Sequence, residues 1–547
     1  MDMVIQMTFL DKVISKKKNI ILFLIVVAVI SSVTLFLIPN MSRGHDLAFH
    51  LSRISALKDN LKLGIVGGYI YPNYLGGYGY GNGLFYPDLF LYIPAFLSYL
   101  GLSVITSYKI FLLLISFFSV GTMYVCVKGI SKNKKSALIS SFIYGFASYR
   151  LIDMFTRAAL GETLAFVFAP LVIYGMYEII YGDYKKFYIL TIGMSGLILS
   201  HLISTYLIGI VLVIMSLVNV KKLFKEKKRI LYLIVAALAT LCLTAYFIFP
   251  MLEQMLSGKF IFNNLDETSK LLERSLPIWS IFIEFPYHVL RKLWIPTGIG
   301  IGFIILIYYY FKNFRDNDKF TNYCFITGII FLICSTNLFP WNLFQGILSP
   351  IQFPWRFYFV SVLLLSVGSG VMLSKQNVEI EKKAKFLFII FLIPVITVGT
   401  LNFFEKNIKE VGEYEISFGE YMPLSANKDY ILKRGDVITS KYPLNHSFTR
   451  NGLALEIEYY NNEGTNSLEL PLLYYKGYKA STSERELDVY QTDNGLVGVD
   501  IDTNEDVVYV SYAGTKIQKL SKAISIVAVL IFAIYLYLKK RGVADEK

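Results

Sequence analysis

Cysteine is scarce in this chain, and so is charge. The four cysteines, Cys126, Cys242, Cys324 and Cys334, all lie within apolar segments and show no CxxC spacing, which leaves neither a disulfide framework nor a zinc ribbon. Asp, Glu, Lys and Arg make up 17% of the 547 residues, against 55% hydrophobic ones, a balance outside that of a soluble globular protein. No GxxxxGK[ST] loop, HExxH helix or GxSxG elbow occurs, so nucleotide-driven, zinc-protease and serine-hydrolase chemistries lack their motifs. Internal repeats and long low-complexity linkers are missing too.

Long hydrophobic runs are what the sequence does have. The first, Ile20–Ile38, is too long for a signal-peptide core and ends without a small-x-small cleavage site, which reads as a retained anchor. Further runs at about 105–127, 137–152, 163–181, 187–201, 203–219, 230–250, 294–311, 322–339, 355–374, 386–402 and 521–538 bring the expected spans to twelve. With the N-terminus cytoplasmic, the loops due inside are Lys128–Lys135, Asp183–Lys186, Lys221–Arg229, Lys312–Lys319, Lys375–Lys385 and the tail from Lys539. Each is rich in Lys or Arg, as the positive-inside rule requires. Membrane orientation therefore accounts for the net charge of +13, and no nucleic-acid partner is called for.

Phe85–Ser103 is apolar enough to be a span, but counting it would invert every later loop. Its Pro87, Asp88 and Pro94 favour a half-buried or re-entrant helix lying against the bundle on the outer side. The preceding tract, Gly67–Gly83, is rich in Gly and Tyr and predicts an irregular loop with rings at the membrane interface or on a sugar. The short pair 187–201 and 203–219 should thin the bundle locally or line a cavity. After Phe403 the strings GLALEIEYYN, SLELPLLYYKGYKA and DVVYVSYAGT alternate apolar and polar residues between turn formers, the pattern of strands. The expectation is an all-α polytopic membrane protein with a small extracytoplasmic β-sandwich near its C-terminus. It divides into a transmembrane bundle at 1–402 with its first external loop at 39–104, a β domain at 403–519, and a last helix with a cytoplasmic tail at 520–547.

Parity gathers a set of polar groups on the outer side. In RGHDLAFHLSRISALKDNLK, residues 43–62, Asp46, His50 and Arg53 fall at helical spacing on one face. His45 adjoins them, Asp153, Arg157 and Glu162 lie around the next outer loop, His201 ends a span, and Arg356 opens another in QFPWRF. Ionisable groups beside a bilayer suggest a site. Each also has an ordinary use: Asp46 and Glu162 as acids at helix starts, Arg53 and Arg356 as headgroup anchors. His45, Asp46 and His50 could hold a divalent cation only if the helix begins after His45, because neighbours on a helix diverge by about 100°. A carboxylate to accept a hydroxyl proton, with arginines to hold phosphate charge, suits group transfer from a lipid phosphate.

The strings GHDLAFHLSRI, GYGYGNGLFYPDLFLYIPAFLSYLGLS, TRAALGETLAFVFAPLVIYG, QFPWRF, FGEYMPL and LLYYKGYKA resemble bacterial membrane proteins labelled 6-pyruvoyl-tetrahydropterin synthase-related, close to the YfhO-like proteins and placed with the GT-C superfamily of polytopic glycosyltransferases. A pterin synthase would need a soluble fold and three zinc-binding histidines, and neither is visible. The resemblance implies a polyprenyl-phosphate-linked sugar donor, an inverting displacement, a cell-envelope glycopolymer or lipid acceptor, and juxtamembrane helices in the first external loop. It further implies an acid in that loop as base or metal ligand, matched by Asp46, and a second acid matched by Glu162. His50 in place of a paired acid leaves metal use open. On this reading Asp46 is the base, Arg157 and Arg356 bind donor phosphate, and His50, Arg53, Glu162 and His201 orient substrates. A transporter or flippase for lipid-linked saccharide, and a non-catalytic envelope assembly protein, remain as alternatives.

Overall fold

The structure, a computed structural model, describes residues 9–37, 41–42, 44–264, 271–282, 298–375, 380–404, 407–408, 419–461, 464–502 and 504–545. Six helices among them are long and apolar enough to cross a membrane: Lys17–Leu37, Val104–Ser131, Leu160–Ile180, Lys227–Ser257, Pro354–Ser374 and Lys516–Gly542. Leu202–Val218, Ile301–Lys312, Lys319–Cys334 and Ala384–Thr400 are apolar but shorter. At a rise of about 1.5 Å per residue, the 12 residues of Ile301–Lys312 reach only part-way across a hydrocarbon layer of about 30 Å. Residues 294–297 of the expected span 294–311, and 376–379 of the expected inner loop, lie outside the described residues.

The chain forms two compact units. The first comprises Met1–His50, Ser103–Thr240 and Asp266–Gly412. At its centre stands Pro354–Ser374, with 94% of its apolar window buried, beside Leu160–Ile180 at 83%. Small residues let such helices approach closely. A Cβ on Gly175 would lie 2.3 Å from the Leu190 backbone nitrogen, and one on Gly193 would lie 2.7 Å from that of Val172. Leu160–Ile180 and Phe187–Ile198 thus touch backbone to backbone. Two short strands, β1 (Met41–Ser42) and β2 (Asn407–Ile408), pair antiparallel.

Residues 137–152, expected as one span, are instead parts of two helices, Lys134–Gly145 and Ser148–Phe155. The break has a local cause. The fully buried Arg150 donates to the Gly145 carbonyl at 2.8 Å and to Ser116 Oγ at 2.9 Å, so its guanidinium satisfies a carbonyl at the end of the first helix.

The second unit comprises Leu51–Leu102, Leu241–Leu265 and Glu413–Lys547. Phe85–Ser103 is not a span here: helix Asn82–Phe85 ends before Pro87, and Leu89–Leu91 leads into the short helix Tyr92–Tyr99. The tyrosines of 67–83 depart from expectation. Tyr69, Tyr71, Tyr78 and Tyr80 are buried, where a sugar or an interface had been their expected neighbour. Hydroxyl partners account for this. Tyr69 donates to the Tyr246 carbonyl, Tyr78 to that of Gly435, and Tyr71 to Asp88 Oδ2, each at 2.7 Å.

The C-terminal β region holds two antiparallel sheets. Its strands are β3 (Thr439–Ser440), β4 (Asn445–Asn451), β5 (Ala454–Asn461), β6 (Asn466–Leu473), β7 (Tyr478–Ser481), β8 (Glu486–Leu487), β9 (Val489–Gln491), β10 (Leu496–Ile501) and β11 (Asn504–Tyr512). The sheet orders are β3-β6-β10-β9 and β4-β5-β11-β7-β8. Along β5 the expected alternation is complete, with Leu455, Ile457 and Tyr459 buried and their neighbours exposed. Gly452, at φ +60°, lies in the connection between β4 and β5, a conformation that glycine adopts without strain.

Arg53, expected among the substrate-binding residues, is buried in this second unit. Its Nη2 donates to Asp88 Oδ1 at 2.7 Å and to the Pro87 carbonyl at 2.8 Å, with the Tyr86 ring 4.1 Å from the guanidinium carbon. Removing one member of a buried ion pair strands the other charge. Asp88→Ala should therefore cost about 3–5 kcal/mol, read as a lowered unfolding temperature of the detergent-solubilised chain, and Asp88→Glu should cost less. An unchanged unfolding temperature for Asp88→Ala would show that the pair does not hold this region together.

Candidate active site

Gly44 to Asp46, the 148–162 segment, His201, Arg274 and Arg356 all belong to the first unit. Helix Ser148–Phe155 runs into a tight turn, in which Arg157 N donates to the Ile152 carbonyl at 2.9 Å and Ala159 N to that of Asp153 at 3.0 Å. Ala158, at the apex, has φ +51°, uncommon for a residue with a side chain. The segment after β1 lies against this turn. His45 N donates to the Thr156 carbonyl at 3.3 Å and Asp46 N to that of Arg157 at 2.9 Å. A Cβ on Gly44 would fall 2.5 Å from the Ala158 Cβ, so only glycine fits there.

These contacts place Asp46 differently from the helical-face expectation. The helix begins at Leu47, and the Asp46 carbonyl receives the His50 N–H at 3.1 Å. Asp46 is therefore the residue just outside the helix, at its N-cap position. The cause is the tie to the 156–158 turn, which holds residues 45 and 46 in non-helical backbone. Asp46 is half-buried, while His50 is buried with its ring 5.2 Å from that of Phe49.

Arg157 is the hub of a buried charge cluster. Its Nη1 donates to Glu162 Oε2 at 2.8 Å, to Tyr149 Oη at 3.1 Å and to Asp153 Oδ1, and Tyr149 donates to the other Glu162 oxygen at 2.8 Å. Glu162 stands in the first turn of Leu160–Ile180, where the positive end of the helix dipole also favours a carboxylate. Arg356 approaches Glu162 Oε2 to 3.6 Å through Nε, while its Nη1 donates to the Ile351 carbonyl at 2.8 Å and to Gln352 Oε1 at 2.7 Å.

The charges in this cluster set one another. Burial raises the Asp46 carboxyl above its ordinary 3.8, against the pull of Arg157 and Arg356, while Glu162 adds to the rise. Burial and the Glu162 charge also push Asp153 upward, and its Oδ2 is buried without a hydrogen-bond partner.

Five of the expected residues are brought together: Asp46, Arg157, Glu162, Arg356 and, through its field on Glu162, His201. His201 also has a structural task, accepting the Ser204 N–H on Nδ1 at 3.3 Å as the N-cap of Leu202–Val218. Among the described residues no three His, Cys, Asp or Glu side chains are grouped to hold a metal ion, His45, Asp46 and His50 included. Two residues escaped the sequence. Tyr149 looks like any aromatic in an apolar run. Arg274 stands in a polar stretch with no motif around it, yet its Nη1 donates to the Gln352 carbonyl at 3.1 Å. The Phe353 ring lies 4.8 Å from its guanidinium carbon and 5.2 Å from that of Arg356.

A family model described as bacterial membrane protein YfhO matches residues 75–416, more than half of the chain. The chain belongs to the YfhO family. The matched span takes in Tyr149, Asp153, Arg157, Glu162, His201, Arg274 and Arg356, while Asp46 precedes it. A relative from Lactococcus lactis subsp. cremoris (strain MG1363), described as an uncharacterized protein, is 24% identical over 97% of this YfhO chain and 98% of its own length. The archaeal oligosaccharyltransferase AglB from Archaeoglobus fulgidus, in complex with an inhibitory peptide and a dolichol-phosphate, aligns at 12% identity and a TM-score of 0.41. That alignment covers 72% of this chain and 57% of AglB. A structure of the A. fulgidus oligosaccharyltransferase with zinc and sulfate aligns at 12% identity and a TM-score of 0.37, over 71% of this chain and 54% of that one. The YfhO chain thus spans a little over half the length of these solved structures, and similarity at this level carries no argument about its chemistry. None of these descriptions bears the pterin-synthase label.

The Gly44 contact can be tested by stability alone. Gly44→Ala should cost about 1–3 kcal/mol by overpacking, and should cost less when made in an Ala158→Gly background, where the opposing Cβ is absent. Additive losses in thermal unfolding would show that the two residues do not meet.

Proposed function

We propose that this YfhO-family chain is a membrane glycosyltransferase that moves a sugar from a polyprenyl-phosphate donor to a cell-envelope glycopolymer or lipid acceptor. The observation that carries the reading is Asp46, its carboxyl raised by burial and its backbone bonded beside the buried cluster of Arg157, Glu162 and Arg356. A carboxyl raised by burial beside two arginines is suited to accept a proton. The fold expectations of twelve crossings, cytoplasmic termini and an outer β-sandwich belong to the same proposal, which puts the site on the outer face.

In the reaction, the acceptor hydroxyl attacks the anomeric carbon as its proton passes to the Asp46 carboxylate. The bond from that carbon to the phosphate oxygen breaks with inversion, and polyprenyl phosphate leaves with the electron pair. Arg356 and Arg274 are assigned to the departing phosphate, because they flank one Phe353 ring and share Gln352. Arg157 spends its Nη1 on Asp153, Glu162 and Tyr149, which makes it first a positioning residue for the cluster. Glu162 fixes Arg157 and Arg356 electrostatically. Metal use stays open, since one or two ligands from the protein and the rest from substrate would satisfy a divalent cation.

A transporter reading would build on a different observation, the buried Arg150 bonded to Ser116 half-way along Val104–Ser131. Asp46→Asn separates the two. Under the proposal this variant loses about 10²–10⁴-fold in sugar transfer from polyprenyl-phosphate sugar in membranes, and keeps its fold. Full transfer by Asp46→Asn would remove Asp46 as the base. The pH profile adds a second check. A base must be deprotonated to act, so kcat/KM should fall as pH drops through the Asp46 value, which burial raises above the 3.8 of an ordinary aspartate. An acidic limb at the ordinary carboxylate value would contradict the assignment.

A further inference from the structure

A groove of about 520 Å³ opens in the first unit between the start of Lys17–Leu37 and the end of Val104–Ser131. It lies among residues the mechanism does not use. Leu24, Phe117 and Phe118 are among its apolar walls, and Lys17, Lys128 and Lys134 stand at one end. The three lysines are exposed. Along Val104–Ser131 the lining reaches from Phe117 to Lys128, roughly 16 Å at the helical rise of 1.5 Å per residue. The slot is therefore elongated along the helix axes, apolar over its length and positive at one end.

Gly121 lies in the lining between Phe118 and Lys128. A Cβ there would meet nothing within 4 Å, so the missing side chain leaves the slot open without serving any helix contact. This differs from Gly175 and Gly193, whose neighbours leave no room.

We propose that the groove is a binding site for an anionic phospholipid, with acyl chains in the slot and the headgroup phosphate on Lys17, Lys128 and Lys134. The charge complementarity favours this occupant. Lysine clusters at the ends of membrane helices attract anionic headgroups, and the apolar walls exclude a free inorganic anion as the sole fit. The site is distinct from the Arg157 cluster and is read from other residues, so it stands whatever reaction that cluster performs.

The test uses the full chain, purified and delipidated, titrated with phosphatidylglycerol or phosphatidylcholine and read by native mass spectrometry. Phosphatidylglycerol should bind at least tenfold tighter than phosphatidylcholine. Lys17→Gln, Lys128→Gln and Lys134→Gln should each weaken it roughly fivefold, the effect of removing one lysine near an anionic headgroup. Gly121→Leu should weaken it as well without changing any charge, and circular dichroism should show an unchanged helix content for all four variants. Equal affinity for the two lipids would overturn the proposal. So would lysine variants that bind phosphatidylglycerol like the parent, or displacement of the lipid by millimolar inorganic phosphate.

Discussion

Burying the Arg157 guanidinium is the constraint on which the candidate site depends. A charge taken into a low-dielectric interior must be paired and hydrogen-bonded, and here Glu162, Asp153 and Tyr149 all converge on one Nη1. That demand fixes the end of Ser148–Phe155, the start of Leu160–Ile180 and the left-handed Ala158 between them. It then reaches Asp46. The backbone of the 156–158 turn holds residues 45 and 46, and the contact at Ala158 leaves room only for glycine at 44. Asp46 is therefore positioned by backbone, and its carboxyl is raised chiefly by burial, with Arg157 and Arg356 opposing and Glu162 adding to the rise.

The long apolar helices were legible in hydropathy. The six long helices each overlap an expected span, and 85–103, expected as a half-buried or re-entrant helix rather than a span, holds only short helical pieces. What hydropathy could not register was a break inside an apolar run. Residues 137–152 divide because Arg150 turns back to the Gly145 carbonyl, a contact with no signature in a sliding average. The tyrosines of 67–83 were misread for a related reason. Composition tells of rings and hydroxyls but not of the carbonyls and the Asp88 oxygen that draw them inside.

The candidate site was legible in part, and in a way that separates residue type from geometry. Asp46, Arg157, Glu162 and Arg356 were picked out as ionisable groups near apolar segments, and they do gather. Helical spacing grouped Asp46 with His50 and Arg53 on the premise that the helix is already running at residue 46. The helix starts one residue later, and Arg53 is engaged with Asp88 in the second unit. Arg274 could not have been found, since its relation to Arg356 passes through Gln352 and Phe353, 78 and 79 positions along the chain from it.

Membership of the YfhO family fixes the setting as a bacterial membrane. The chemistry rests on the cluster itself, and its central claim is that Arg356 and Arg274 receive a lipid phosphate within reach of Asp46. The most direct measurement is a single-particle structure of the chain with a polyprenyl monophosphate bound. The account predicts phosphate density between the Arg356 and Arg274 guanidiniums, with the Asp46 carboxylate facing the side from which an acceptor would approach. Phosphate density bound elsewhere, with these two arginines unchanged and unoccupied, would contradict it.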